Sequence, residues 1–482
     1  MKPIANHLIS LSGIRFGTSG ARGLVEQFTP EVCAAFTVAF ISAMQENFTF
    51  SRVSIAIDRR PSSPVMAAAC AAAAEQYGIA VDYFGILPTP ALAAQSMQTI
   101  QPAIMITGSH IPFDRNGIKF YRPDGEITKE DEKAILSSSA FVPSIVNNNL
   151  QLLAPSLTSE KNQAAAVYLN RFCQLVPSNF LHGKRVGIYQ HSSAGRDLYV
   201  RLFEILGAEV VALGRSESFV PIDTEAVREE DIIKGREWAT TEKLDFLFST
   251  DGDGDRPLIA DENGHWLRGD TVGLLTAQYL NVEALAVPVS CNTAIEGSQA
   301  FKKVVRTKIG SPYVIEGMKK LTEEFLSVAG FEANGGFLVG SEIVVNSKTL
   351  PALPTRDAIL PVIALMAASI EVKQPLSVLV QQLPQRFTAS NRLQNFSTEK
   401  SHALLAMWSK QPRLGLKTLK LDNKVIAEYN YIDGLRWYFT DNTIVHLRPS
   451  GNAPELRCYV EAASEERAYK LLNHVLQFLK QC

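Results

Sequence analysis

Residues Ser249–Pro257 read STDGDGDRP, and they continue Leu244–Ser249 (LDFLFS), a short apolar run of the kind that forms a buried strand. The loop sets Asp251, Asp253 and Asp255 at alternate positions, with Gly252 and Gly254 between them. Glycine tolerates the tight curvature that lets three carboxylates converge. Carboxylates that close repel one another unless a cation sits among them. An all-oxygen ligand set suits magnesium or manganese rather than zinc or copper, and magnesium keeps room for a phosphate oxygen. A calcium loop fits less well. Counted from Asp251, the twelfth position is Glu262, but the sixth is not the glycine such a loop uses.

Outward from this loop the chain alternates strand and helix signals. Arg185–Tyr189 reads as a strand, Asp197–Leu206 as a helix and Glu209–Leu213 as a strand. Upstream, Arg52–Asp58 (RVSIAID) is a buried strand, followed by the loop RRPSSP and a helix over Val65–Tyr77. A strand at Ala80–Phe84, a turn at Gly85–Pro90 and a strand at Ala103–Thr107 follow. Thr29-Pro30 caps a helix that runs to about Met44. Downstream, Ala284–Ser290 is a strand with a helix after Asn292. Three such starts suggest three related α/β units with mixed, mostly parallel sheets. The end of the chain differs. Trp437–Thr440 and Thr443–Leu447 flank the hairpin signal Asp441-Asn442, a strand follows at Leu456–Glu461, and Glu465–Gln481 is an amphipathic helix. The expected fold is therefore α/β: three related mixed-sheet domains over 1–150, 151–264 and 265–374, then a smaller α+β domain over 375–482. Phe141–Ser159, rich in Ser, Asn and Pro, reads as the first linker.

Composition narrows the partners. The 482 residues include 47 basic and 49 acidic side chains, a net charge of -2, so no bulk field draws the chain to nucleic acid or to an anionic membrane. An anionic ligand must then be held by local basic groups. Six scattered cysteines form no C-x-x-C pair and read as idle thiols. The N-terminus carries no signal-peptide pattern, and no apolar stretch reaches the ~18–20 residues that span a bilayer. The expected location is the cytoplasm.

Three further motifs carry chemistry. Thr107–Tyr121, TGSHIPFDRNGIKFY, places Ser109 at a strand end, where the active groups of α/β folds gather. A serine hydroxyl needs activation, and His110, Arg115 and Lys119 lie within ten residues. Read alone, this is also an ordinary turn. Leu447–Ala462, LRPSGNAPELRCYVEA, offers forked donors from Arg448 and Arg457, side-chain donors from Ser450 and Asn452, and backbone amides at Gly451, a set suited to phosphate. Phe16–Val25, FGTSGARGLV, is a flexible loop that carries Arg22 and lacks dinucleotide-fingerprint spacing.

Taken in order, these four motifs resemble the α-D-phosphohexomutase superfamily over nearly the whole chain. TGSHIP is similar to that family's T-A-S-H-N-P phosphoserine loop, with Gly108 for alanine and Ile111 for asparagine. DGDGDR matches its metal loop. RPSGNAPELR is similar to its R-P-S-G-T-E-P phosphate loop, and NGIKFY and RTKIGSPYV (Arg306–Val314) also fit. The resemblance implies four domains around a central cleft and a hexose phosphate as partner, with phosphate carried on Ser109. It implies magnesium held by Asp251, Asp253, Asp255 and a phosphate oxygen on Ser109, and a hexose 1,6-bisphosphate that activates the enzyme and passes between its two orientations. Lys119 is the expected general base, as a lysine flanked by cations; Arg22 and His110 assist, and Arg256 neutralises the moving phosphoryl group. Arg448, Ser450, Gly451, Asn452 and Arg457 would clamp the other phosphate.

One stretch departs from the family. The sugar loop usually reads G-E-x-S-G-H, and here Ala333–Ile343 reads ANGGFLVGSEI, in which both the glutamate and the histidine are absent. Gly336 aligns with the start of that loop, and Ser341 and Glu342 are the candidates to take over. Asp357, in TRDA, is expected to be structural. Mannose or glucose phosphate is the favoured substrate and glucosamine phosphate the alternative. A magnesium phosphatase and a non-catalytic phosphosugar sensor are the rival readings. A monomer or a homodimer is expected.

Overall fold

The computed structural model describes residues 3–17, 20–145, 157, 161–450 and 454–482, and four main sheets follow one another along it. The first three share one plan. In the first, Arg52–Ile57 lies parallel to both Ala80–Ile86 and Ala103–Ile106, and Arg115–Arg122 runs antiparallel beside Ala103–Ile106. In the second, Arg185–His191 lies between Glu209–Arg215 and Phe246–Thr250, with Pro257–Ala260 antiparallel beyond. In the third, Ala284–Pro288 lies between Lys303–Thr307 and Val328–Phe331, with Phe337–Val339 antiparallel beyond. The repeat is thus a four-strand unit. Each unit has an equivalent connection from its third strand to the antiparallel fourth, at 107–114, 251–256 and 332–336.

Local rules explain most of the elements. Helix Pro30–Gln45 starts where Thr29 accepts the Val32 N–H, with proline in the first turn, where its missing N–H costs nothing. It packs against Ser63–Gln76, whose run of small, buried alanines allows close approach. The expected turn at Gly85–Pro90 is instead the end of a strand at Ile86 and the start of an unforeseen helix, Thr89–Thr99, with Pro90 near its N-terminus. The helix after Asn292 is a single turn, Ala294–Gly297. Most of the expected linker at Phe141–Ser159 lies outside the described residues.

The fourth sheet is wholly antiparallel, in the order Phe387–Gln394, Glu455–Ala462, Ile444–Pro449, Leu435–Phe439, Ile426–Asn430. The expected hairpin turns at Asn442, which takes the left-handed conformation asparagine tolerates (φ 60°). Helix Glu465–Leu479, capped by Ser464, packs against this sheet. The cores divide unequally. Met105 and Tyr121 of the first unit, Ile188 and Phe248 of the second, and Leu285 and Phe337 of the third belong to one continuous apolar cluster. The fourth sheet has its own, around Trp408, Trp437, Leu472 and Val475. Polar contacts tie it to the third unit, including Glu461, which accepts the Thr293 N–H at 3.3 Å. Among the described residues no helix is long and apolar enough to cross a membrane.

Candidate active site

Two of the three equivalent connections meet at Ser109. Its side chain is buried and its backbone is left-handed (φ 54°), a costly conformation for a non-glycine residue. Several bonds enforce it. The Ser109 N–H donates to Thr107 Oγ1 at 2.8 Å, and Thr107 Oγ1 in turn donates to Asp58 Oδ2 at 2.8 Å. Arg60, 1% exposed, pairs with Asp58 and donates to the carbonyls of Ser109, Ile111, Pro112 and Arg115. Its guanidinium is stacked on the Phe219 ring, 4.0 Å from the centroid. A Cβ at Gly108 would stand 2.5 Å from Arg60 Cζ, so glycine in place of the family's alanine makes room for this arginine. None of the motifs read from the sequence singles out Arg60. Its signal was an Asp-x-Arg in the loop after a buried strand.

The acidic loop closes on the serine from the second unit. Ser109 Oγ donates to Asp251 Oδ2 at 2.5 Å, and the Asp255 and Arg256 N–H groups donate to Asp251 Oδ1. Oxygens of Asp251, Asp253 and Asp255 lie within 4.8 Å of one another, and all three residues are buried. Asp253 Oδ1 and Asp255 Oδ1 are buried with no hydrogen-bond donor. Bare carboxylate oxygens in such a place are costly unless a cation takes them, so these residues fit a hard divalent ion. Burial and then its two neighbours push the Asp251 carboxyl well above the usual range. Burial acts the same way on Asp255, but Arg356, Lys119 and Arg256 outweigh it and hold that carboxyl below the usual range.

Basic groups surround the triad. Lys119, on the strand after the serine loop, donates to Asp253 Oδ2 at 2.6 Å and to Asp255 Oδ2 at 2.7 Å. Its immediate partners are therefore carboxylates, not the cations expected from sequence. Arg256 Nη1 donates to His110 Nδ1 at 2.8 Å. Burial, Arg256 and Arg22 lower the His110 pKa and keep the ring neutral, which leaves Nδ1 as the acceptor and His110 as a support for Arg256. Arg22, in the strand Ala21–Leu24, is brought down to about 10 by burial and by Arg256 and Arg356. Thr89, in the unforeseen helix, donates from Oγ1 to Asp253 Oδ2 at 2.6 Å.

The third connection lies beside the stretch read as the sugar loop. Residues 332–336 join Val328–Phe331 to Phe337–Val339, and they include Glu332, one position before the stretch that was read as lacking a glutamate. Glu332 is buried and accepts from Arg356 Nη1 at 2.9 Å, while Arg356 Nη2 donates to Asp255 Oδ2 at 2.9 Å. Gly336 packs on Arg356: a Cβ there would lie 2.6 Å from Arg356 Cδ. Ser341 and Glu342 lie elsewhere. The strand Phe337–Val339 carries the chain back to the start of Val328–Phe331, where Ser341 Oγ donates to Leu326 O and accepts the Val328 N–H, and Glu342 is exposed. Asp357 is structural, as expected: its Oδ1 accepts from Tyr168 Oη and from the Ile359 and Leu360 N–H groups at a helix start.

In the fourth domain Arg448 and Arg457 stand directly opposite each other on neighbouring strands. Like charges so placed are unfavourable without an anion or acid beside them. Arg448 Nε donates to Asp433 at 2.8 Å, and Arg457 lies 3.8 Å from Glu455. Ser450 is buried, and its N–H donates to Glu455 O. Gly451 and Asn452 lie outside the described residues.

A serine held against three buried aspartates, with arginines and a lysine around them, defines a phosphoryl-transfer enzyme built on repeated α/β units. The sequence matches three family descriptions: phosphoglucomutase/phosphomannomutase alpha/beta/alpha domain I over residues 13–141, domain III over 268–387 and the C-terminal domain over 399–477. It is 54% identical over 482 residues to a phosphomannomutase of Salmonella muenchen, covering 100% of this chain and 99% of that one. A phosphoglucosamine mutase of Thermodesulfovibrio yellowstonii is 28% identical over 482 residues, covering 95% and 97%. The crystal structure of a phosphoglucomutase/phosphomannomutase family protein from Burkholderia thailandensis superposes with a TM-score of 0.74 at 19% identity, covering 99% of this chain and 98% of that one. The chain belongs to the phosphoglucomutase/phosphomannomutase family. It is a phosphohexomutase, an isomerase that acts by phosphoryl transfer.

Proposed function

We propose that the enzyme interconverts mannose 1-phosphate and mannose 6-phosphate through a phosphoserine at Ser109. One observation carries the site assignment: Ser109 Oγ lies 2.5 Å from Asp251 Oδ2, beside two buried carboxylate oxygens that have no donor. The 54% identity to a phosphomannomutase supports mannose over glucosamine. We assign the four domains to 1–150, 151–264, 265–374 and 375–482, in keeping with one main sheet in each.

Asp251, Asp253 and Asp255 would hold magnesium together with an oxygen of the Ser109 phosphate. The ion supplies charge neutralisation for the phosphoryl group. Arg448 and Arg457, with Ser450, Gly451 and Asn452, grip the phosphate that is not reacting. The free hydroxyl of the sugar attacks the Ser109 phosphorus, and the Ser109 Oγ–P bond breaks to give a hexose 1,6-bisphosphate. After reorientation Ser109 takes back the other phosphate. Lys119, which pairs with Asp253 and Asp255, passes its proton to the departing Ser109 Oγ and takes up the proton of the attacking hydroxyl, and Arg256, steadied by His110, balances charge on the phosphoryl oxygens. Arg22 adds positive charge to the same place. Glu332, with Gly336 beside it, is the group placed to accept from sugar hydroxyls.

Intact-mass measurement of the purified protein tests the covalent step. A mass excess of about 80 Da, one phosphoryl group, is expected in wild type after incubation with glucose 1,6-bisphosphate and magnesium, and none in Ser109→Ala. No excess in wild type would exclude the phosphoserine. Turnover of mannose 1-phosphate above glucosamine 1-phosphate, with bisphosphate supplied, tests the substrate.

A further inference from the structure

Asp433 stands in the turn between strands Ile426–Asn430 and Leu435–Phe439, outside every motif read from the sequence. Its Oδ2 accepts from two donors in two domains. One is Arg448 Nε, at 2.8 Å, on the strand that leads into the phosphate loop. The other is the Ile309 N–H, at 3.0 Å, from the Arg306–Val314 segment of the third domain. The turn itself is fixed: the Asp433 carbonyl accepts from His446 Nε2 at 2.6 Å. Gly434 lies so close to the clamp strand that a Cβ there would stand 2.3 Å from Leu447 O, and its φ of 93° suits glycine. The carboxylate thus has one defined position, against Arg448 on one side and the facing domain on the other.

A guanidinium is planar, so an acceptor on Nε sets the plane and leaves the Nη1–Nη2 edge to fork onto an oxyanion. Without that acceptor Arg448 could swing on its long side chain, and its charge would stand unbalanced opposite Arg457. The Ile309 bond adds a condition. The sheet of the fourth domain has its own core and meets Thr293 and Ile309 of the third through polar contacts, so Asp433 is held from both sides only when the two domains are docked.

We propose that Asp433 is a positioning residue for phosphate binding: it aims Arg448 at the phosphate of the sugar and links that aim to docking of the fourth domain on the third. The inference rests on the phosphosugar reading above. It assigns Asp433 no contact with the reacting atoms.

The test uses the full-length protein and the variants Asp433→Ala, Asp433→Asn and Arg448→Ala. Binding of inorganic phosphate is measured by calorimetry, and KM and kcat for mannose 1-phosphate are measured with magnesium and bisphosphate. Losing a charge-assisted hydrogen bond should weaken phosphate binding by roughly tenfold or more. Asp433→Ala should show that rise in phosphate Kd and in KM, with kcat much less affected. Asp433→Asn keeps an acceptor for the Ile309 N–H without the charge that holds Arg448, and it should fall in between. In the Arg448→Ala background, Asp433→Ala should add little. A phosphate Kd within about twofold of wild type in Asp433→Ala, even with a lowered Tm, overturns the proposal, because a merely structural residue would behave that way. If wild type binds phosphate yet turns over no hexose phosphate, the functional reading fails separately, and the phosphate Kd still decides the role of Asp433.

Discussion

The Ser109 loop and the Arg448–Arg457 pair, both of which we propose serve phosphate, are held in opposite ways. The serine loop is enclosed by the first and second domains; the first has a core of its own, and a further apolar cluster joins it to the second and third. One buried arginine grips three of the loop's carbonyls and that of Arg115 at the start of the next strand, and a threonine and an aspartate fix the loop's strained residue. The arginine pair sits on a domain with a separate core, and a carboxylate shared with the third domain steadies it. The contrast follows from the chemistry. The group that transfers phosphate must meet a fixed charge pattern, since preorganisation lowers the barrier. The group that grips the idle phosphate must accept either end of the sugar and then release it.

The largest expected effect comes from breaking the rigid side. Arg60→Ala leaves Asp58 buried without its cation and takes a donor away from four carbonyls. A buried pair broken on one side costs about 3–5 kcal/mol. Transmitted to the loop, that corresponds to a loss of kcat on the order of a thousandfold. Gly108→Ala is the gentler form of the same test, since the added methyl would press on the Arg60 guanidinium at 2.5 Å. Both should lower the fraction of protein that carries a phosphoryl group after incubation with bisphosphate, read by intact mass. Full phosphorylation of Arg60→Ala would show that the strut is dispensable and remove the contrast.

A smaller effect is expected where the third domain joins this arrangement. Arg356 ties Asp255 to Glu332, so it touches both the metal triad and the turn assigned to the sugar. Glu332→Gln keeps the shape and an acceptor but loses the charge. If Glu332 accepts sugar hydroxyls, KM for mannose 1-phosphate should rise by roughly tenfold or more, while uptake of phosphate by Ser109 should change little. A variant with wild-type KM would place sugar recognition elsewhere in the cleft.

Much of this was legible before any coordinates. The three aspartates, Ser109 and the arginine pair stand in compact motifs, because a strand end followed by a loop keeps its chemistry together in sequence. The strand alternation also revealed the repeat. What escaped notice were partners that reach the site from elsewhere: Arg60 from the preceding strand–loop unit, Thr89 from a helix hidden behind two prolines, and Arg356 from the third domain. Glu332 was missed for a different reason. The family's loop was aligned from Gly336, whereas the connection equivalent to the other two begins directly after Phe331. Lys119 was foreseen, but its surroundings were not, since sequence neighbours do not reveal which domain loop faces a side chain.

The smallest effect concerns acid stability on the looser side. His446 is buried, and burial followed by Arg436 lowers its pKa to about 3, with Arg448 acting in the same direction; its ring also stacks on Tyr459 at 5.3 Å. In the unfolded chain a histidine titrates near 6.5, at about its unperturbed value. Below that pH the unfolded state takes up a proton that the folded state refuses. The stability present above pH 6.5 is therefore lost progressively as the pH falls toward about 3. Trp408 and Trp437 lie in this domain's core, and the other two tryptophans, Trp238 and Trp266, pack against a separate cluster beside the second sheet. In a Trp238→Phe, Trp266→Phe background, fluorescence reports the fourth domain alone. Its denaturant midpoint should fall with acidification below pH 6.5, and His446→Gln, which keeps an amide donor for the Asp433 carbonyl but has no titrating group, should flatten that fall. If the two curves run parallel from pH 7 to 4, the imidazole takes up its proton in the folded state as readily as in the unfolded one, and the arginines around it do not set its charge.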